Sequence, residues 1–228
     1  MEDILFNLVP NLKDATDDFK AAVLRRYKEF ITYSQIPNKC YGFTDQSIIP
    51  SKLFNVFKNM EQAVAGRYNF YFDFADYKNL EYLAYLMLQS YFKQCVLEDK
   101  LVEDILYIDT KLLVEDYKRL IDYKEEKDSL KPIHDLKILY AGIENAPLVI
   151  WDKFTLLDSY YDRDKIYDII NIRQRRGLGN FYFSMGGKQN FAEKIGQNTI
   201  ALMQLDLGFD LSTITINLES TKEVGLFK

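Results

Sequence analysis

Apolar residues recur along this chain with two periods, one helical and one strand-like, and the two take turns. Over 14–33 the spacing is helical (Phe19, Val23, Tyr27, Phe30, Ile31), with Asp14 or Thr16 placed to cap the first turn. The stretch I-P-N-K-C-Y-G-F-T at 36–44 breaks that period with Pro37 and Gly42. A second helix is predicted over 50–65, with a proline in its first turn and Gly66 just past its end. It carries Leu53, Phe54, Phe57, Met60 and Val64 on one face. Y-N-F-Y-F-D-F at 68–74 is short and aromatic, which predicts a strand.

The same reading gives helices over 77–96 and from 110 to about 123, a solvated turn over 124–129 (K-E-E-K-D-S), and a short helix over 132–141. Strands are predicted over 104–108, 148–151, 180–184 and 212–217, with helices over 162–176 and 188–203 between the later ones. Five strands alternating with helices predict an α/β fold: a parallel five-stranded sheet flanked by helices on both faces. No internal repeat, low-complexity run or linker interrupts it. Residues 1–65 read as an N-terminal helical extension of the unit formed by 66–228.

Composition narrows the function classes. A net charge of −5 argues against a domain given over wholly to nucleic acid, while leaving room for a local basic patch. The 17 Tyr and 16 Phe are ascribed to coding composition, not to a binding signature. Cys40 and Cys95 are far apart and predict two reduced thiols; with His134 as the sole histidine, no zinc set can be assembled. No basic leader is present and no run reaches the ~18 apolar residues a membrane span needs, so a cytoplasmic protein is expected.

In parallel sheets the carboxyl ends of the strands face the ligand crevice, which directs attention to two stretches. A-P-L-V-I-W-D-K-F ends a strand on Asp152, and F-Y-F-S-M-G-G ends another on Met185 before Gly186 and Gly187. After the strand at 68–74, a phosphate cradle would need glycines, a lysine and a Ser/Thr hydroxyl. The turn D-F-A-D-Y-K-N-L supplies Lys78 alone: no glycine precedes it, Asn79 stands in place of the hydroxyl, and Asp73 and Asp76 repel phosphate. Beside Asp152, hydrolysis would need a second carboxylate to orient water, and Lys153 is there instead.

Taken together, 68–217 resembles the AAA+ domain of bacterial replicative-helicase loaders of the DnaC/DnaI type, over about two thirds of the chain. The best-matching stretches are A-P-L-V-I-W-D-K-F and D-K-I-Y-D-I-I-N-I-R-Q-R-R-G-L-G-N-F-Y-F-S. The resemblance implies a P-loop NTPase fold. In it Lys78 would be the P-loop lysine, Asp152 the Walker B aspartate, and Met185 the replacement of the sensor-1 asparagine. The departures are systematic, and no arginine follows Gly187 to serve as arginine finger or sensor 2.

What the resemblance implies is therefore a pseudo-ATPase without a cofactor. It would act in DNA replication initiation by binding a replicative helicase, a helicase loader or another initiation protein, and would retain surfaces for a homo-oligomer. Two alternatives stay open. One is an ATPase using ATP and Mg²⁺ at an atypical site around Lys78, Asp152 and Lys153. The other is a single-stranded-DNA adaptor using Arg173, Arg175 and Arg176, with Tyr160, Tyr161 or Tyr182 for base stacking. Those arginines also suit a helix C-terminus, where cations complement the dipole. The basic residues Lys20, Arg25, Arg26 and Lys28 are interleaved with Asp17, Asp18 and Glu29 and read as a solvated face. The apolar positions Phe19 to Ile31 suit either docking of a partner or packing on the chain's own domain.

Overall fold

Four strands of five to seven residues form the body of a parallel sheet: β1 (Asn69–Phe74), β2 (Ile105–Asp109), β3 (Leu148–Asp152) and β4 (Gly179–Met185). The computed structural model describes residues 9, 12, 14–74, 79–122, 130–154, 160–185 and 215–216. A two-residue ladder, β5 (Thr215–Ile216), pairs with Asp73 and Phe74 and gives the order β2-β3-β4-β1-β5. The expectation of five full strands is thus corrected to four plus a short edge pairing. Of the stretch 212–217 only two residues take part in the described ladder.

Around the sheet lie α1 (Asp17–Tyr33), α2 (Phe54–Lys58), α3 (Met60–Ala65), α4 (Leu80–Leu97), α5 (Thr110–Asp122), α6 (Leu130–Asn145) and α7 (Tyr160–Arg175). The strand period of two sends alternate side chains to opposite faces, and two cores result. On one face Phe70, Phe72, Phe74, Ile150, Phe181 and Phe183 meet α4, which α1, α2 and α3 cover in turn. On the other, Leu106, Val149, Trp151 and Tyr182 meet Leu113 and Val114 of α5, Ile143 of α6, and Ile166, Ile169 and Ile170 of α7. Residues 17–65 therefore share a core with the sheet.

The aromatic content is largely structural. Phe70 stacks on Phe181 at 5.0 Å, and Phe72 and Phe74 meet Phe183 edge-on at 5.5 and 5.1 Å. This makes a ladder of cross-strand ring pairs.

Thr16, not Asp14, caps α1; its hydroxyl accepts from the Phe19 amide at 3.3 Å. Val23, Tyr27, Phe30 and Ile31 are buried, but Phe19 is 52% exposed and leaves the expected apolar set. The apolar face of α1 is thus largely spent on its own domain.

The helix expected over 50–65 is broken. A 3₁₀ turn at Ser51–Leu53 leads into α2, and Asn59 separates α2 from α3 with φ −122°. The Asn59 side-chain amide donates to the Asn55 carbonyl at 2.7 Å, the local competition that makes Asn a poor interior helix residue. Conversely, α6 is longer than the predicted 132–141. Pro132 falls within its first turn, where a proline is tolerated. The helix expected over 188–203 and the turn over 124–129 lie outside the described residues.

Strand β2 is an outer strand, and an unpaired edge invites association. Here the segment after α1 covers it: the Tyr107 amide donates to the Ser34 carbonyl at 2.7 Å. This contact brings Gln35, Pro37 and Lys39 to the carboxyl end of β2, over the crevice.

Candidate functional site

The carboxyl ends of β2 and β3 place Asp109 directly opposite Asp152 in the parallel register. Period-two alternation then puts Tyr107, two residues before Asp109, on the same face as both acids. The Tyr107 hydroxyl donates to Asp152 Oδ2 at 2.5 Å. The other oxygen, Asp152 Oδ1, accepts from the backbone amide of Lys153 at 2.8 Å. That geometry depends on Lys153 taking a left-handed conformation, φ 53°, which turns the chain sharply off the strand end. The next residue is anchored over β4, with the Phe154 amide donating to the Phe183 carbonyl at 3.2 Å.

Asp109 is engaged in the same way. Its Oδ1 accepts from the Leu112 amide at 3.2 Å, capping the start of α5, and its Oδ2 forms an ion pair with the Lys153 ammonium. A second ion pair closes the mouth: Lys39 reaches Glu81, in the first turn of α4, at 2.5 Å. Tyr107, Asp109, Lys153, Lys39, Glu81 and Asp116 line a cavity of about 390 Å³ with Leu112, Leu113 and Ile108, whereas the fully buried Asp152 does not line it.

Burial sets the electrostatics. Asp152 is fully buried, and desolvation pushes its carboxyl up to about 6, opposed by the Tyr107 hydrogen bond and the Lys153 charge. The Tyr107 phenol is held far above its usual range by burial and by the adjacent carboxylate. Burial by itself would lower the Lys153 ammonium, but the Asp109 hydrogen bond together with the charges of Asp109, Asp152 and Glu81 outweighs it and leaves the group raised and cationic. Lys39 is likewise raised by its bond to Glu81.

Magnesium takes hard oxygen ligands, and this donor set does not fit a nucleotide-bound Mg²⁺. Both oxygens of Asp152 already accept hydrogen bonds from the protein, an ammonium stands at the next position, and β4 ends on the thioether of Met185. No group of three or more His, Cys, Asp or Glu is placed to hold a metal among the described residues. Lys78 lies outside the described residues. Tyr107 and Asp109 were missed from sequence, because only the parallel register brings them to Asp152.

The arginines part company. Arg175 and Arg176 are exposed at the end of α7, and Arg176 bonds the Glu144 carbonyl and Asn145 at the end of α6. Arg173 is fully buried and is withdrawn from any nucleic-acid surface. Its guanidinium donates to Asn180 Oδ1 at 2.7 Å and to the carbonyls of Ala146 (3.0 Å), Ile143 and Gly179. Tyr182, offered for base stacking, is buried in the core; the side chains of Tyr160 and Tyr161 lie outside the described residues.

No family model and no curated protein matches the sequence. The fold does have solved counterparts. One is the DnaC helicase loader, with a TM-score of 0.53 and 14% identity over 82% of this chain and 97% of that one. Another is DnaI, with a TM-score of 0.51 and 13% identity over 82% of this chain and 93% of that one. At this identity the likeness is one of fold: an α/β sheet flanked by helices, as the resemblance implied. No helix among the described residues is long and apolar enough to cross a membrane.

Proposed function

We propose that the chain is a nucleotide-inactive protein of DNA replication initiation that works through protein contacts, binding a replicative helicase, a helicase loader or another initiation protein. The direction of this reading comes from the loader-like fold, which extends over most of both chains. Its non-catalytic character rests on one observation, the state of Asp152. A Walker B aspartate has to offer oxygen to a metal at the crevice, whereas this carboxylate is fully buried and held by Tyr107 and the Lys153 amide. The residue after Asp152 offers no second acid to activate water, and Asp109 on the neighbouring strand is already held by the Lys153 ammonium and the Leu112 amide.

Two measurements test the reading. Isothermal titration with ATP and Mg²⁺ is expected to give no saturable heat, and phosphate release is expected to stay at background. Tight binding or steady turnover would sink the claim of inactivity. Affinity capture from the native host with the full chain as bait is expected to recover a replicative helicase, its loader or an initiator. Recovery of none of these, with the bait folded, would sink the replication reading.

A further inference from the structure

A cleft of about 460 Å³ opens between α4 and the segment that runs from the 3₁₀ turn at Gln46–Ile48 into α2. Ile49, Phe54, Phe57 and Leu86 make its apolar wall, and two cations, Lys58 and Lys93, stand beside them. No acid lines it, although the chain carries 34 acidic residues against 29 basic ones. Neither lysine forms an ion pair among the described residues. The neutral polar groups of the floor are already engaged. Where Asn59 separates α2 from α3, the Phe57 carbonyl accepts from the Ser90 hydroxyl and from the Gln94 side-chain amide, each at 2.6 Å. Gln94 also accepts from the Glu61 amide at 2.9 Å, and the Gln89 side chain donates to the Phe43 carbonyl at 3.3 Å. The helix break is thus stitched to α4, and what the cleft still offers is apolar surface and two ammonium groups. Phe54 is 47% exposed at the head of α2, whereas Val56 and Phe57 are buried.

We propose that this cleft docks an acidic amphipathic segment of a partner protein, with apolar side chains packed on Phe54 and Ile49 and carboxylates meeting Lys58 and Lys93. The proposal rests on the reading that the chain works through protein contacts, and it names the chemistry of one such contact. Charge complementarity selects this occupant. A second copy placed cleft to cleft would set lysines against lysines. A single strand of nucleic acid is tracked by a run of cations along its backbone, not by two beside an apolar wall. An amphipathic helix laid in a groove buries its apolar face and leaves its charged flanks to the rim, which is the pattern of apolar wall and cations found here. Because the wall is held by the Phe57, Ser90 and Gln94 hydrogen bonds before anything binds, little ordering cost falls on this side of the interface.

The probe is a fluorescein-labelled helical peptide of about 15 residues with Leu and Phe on one face and Glu on the other, read by polarisation and by backbone amide shifts of the full chain. Saturable binding is expected, with shifts centred on Phe54, Lys58, Ser90 and Lys93 and an affinity that falls as salt is raised. Lys58→Glu combined with Lys93→Glu is expected to weaken binding at least about tenfold. Phe54→Ala is expected to weaken it about tenfold. If the Glu pair does not fold, Lys58→Gln with Lys93→Gln is read in its place. A counterpart peptide with Lys in place of Glu, and oligothymidine, are expected to leave these amides unmoved. Absence of saturable binding, binding indifferent to both lysine pairs, or the same amides shifted by the basic peptide or by oligothymidine each overturns this inference alone. Capture of a helicase, loader or initiator as strongly by the Glu-pair variant as by the parent also overturns the docking site, and leaves the replication reading standing.

Discussion

The two edges of the sheet solve opposite problems. At the amino edge a buried cation, Arg173, is surrounded by neutral acceptors: three backbone carbonyls and the Asn180 side chain. Asn180 in turn accepts from the Trp151 indole at 3.0 Å and donates to Asn69 at 2.8 Å. Gly179 allows the chains to approach closely there. A Cβ at that residue would lie 3.0 Å from the Tyr68 carbonyl. At the carboxyl edge Lys153 is paired with Asp109 and Lys39 with Glu81, and a cavity of about 390 Å³ remains in front of them. The first arrangement is that of a fastening, and the second is that of an open cleft walled by ion pairs. Buried polar groups at the amino edge fix one structure, whereas those at the carboxyl edge neutralise a place where ligands bind in other open α/β sheets.

If that contrast is right, the largest effect comes from the fastening. Arg173→Ala takes the guanidinium donor from the Ile143 and Ala146 carbonyls at the end of α6, removes one of the two donors to Asn180 Oδ1, and opens a void in the core. A loss of about 3–5 kcal/mol is expected, measured by urea denaturation. Arg173→Lys should recover little, because one ammonium cannot reach four acceptors arranged for a planar fork. A loss below about 1 kcal/mol would mean that the network contributes no more than a surface contact.

The carboxyl edge is expected to respond to pH instead. The folded-state pKa of Asp152 is raised from 3.8 to about 6. Between those values the folded state binds more protons than the unfolded chain, so its stability falls as pH rises. Across that window the ionised, buried carboxylate costs about 3 kcal/mol. Asp152→Asn removes the titration, so its stability relative to the parent should climb by about 2–3 kcal/mol from about pH 4 to about pH 7. A pH-independent difference would show that Asp152 titrates as an ordinary exposed acid and that the Tyr107 contact does not bury it.

Much of this was legible in the chain. Strand apolarity gave a doubly covered sheet, and the run R-Q-R-R-G marked a helix end. Gly177 sits at φ 64° in the capping position, where Leu178 donates back to Arg173 and Gly177 to Gln174. The burial of Arg173 was legible as well. Ile166, Ile169, Ile170 and Arg173 follow the helical period, so the arginine belongs to the apolar face and not with Arg175. A charged residue type masked that pattern. The partners of Asp152 could not be read locally. Tyr107 lies 45 positions away, and only the pairing of β2 with β3 brings it alongside. The break at Asn59 was missed because an apolar period survives a one-residue interruption.

A smaller effect separates what Lys153 does with its backbone from what it does with its side chain. Lys153→Gly keeps the amide on Asp152 and relieves the left-handed strain, while Lys153→Ala keeps the strain; both lose the pair with Asp109. Glycine should therefore exceed alanine by about 1 kcal/mol in stability. The ion pair is partly solvent-screened, so its loss in either variant should stay below about 1 kcal/mol. Equal stabilities of the two variants would indicate that the left-handed turn is not maintained in solution.

The smallest expected effect is the sharpest control on the comparison. Arg175 lies two residues from Arg173 in the last turn of α7, carries the same charge, and differs in pointing to solvent. Its favourable interaction with the helix C-terminus is worth about 0.3–1 kcal/mol at low salt and is screened at high salt. Arg175→Ala should therefore leave the denaturation midpoint within about 0.5 kcal/mol of the parent at moderate salt. Arg176→Ala should cost slightly more, because it releases the Glu144 carbonyl and the Asn145 side chain. The three arginines thus predict a steep ranking, 173 far above 176 and 176 above 175. If Arg175→Ala proved as damaging as Arg173→Ala, net positive charge at the helix end, and not the buried guanidinium network, would be what holds the amino edge together.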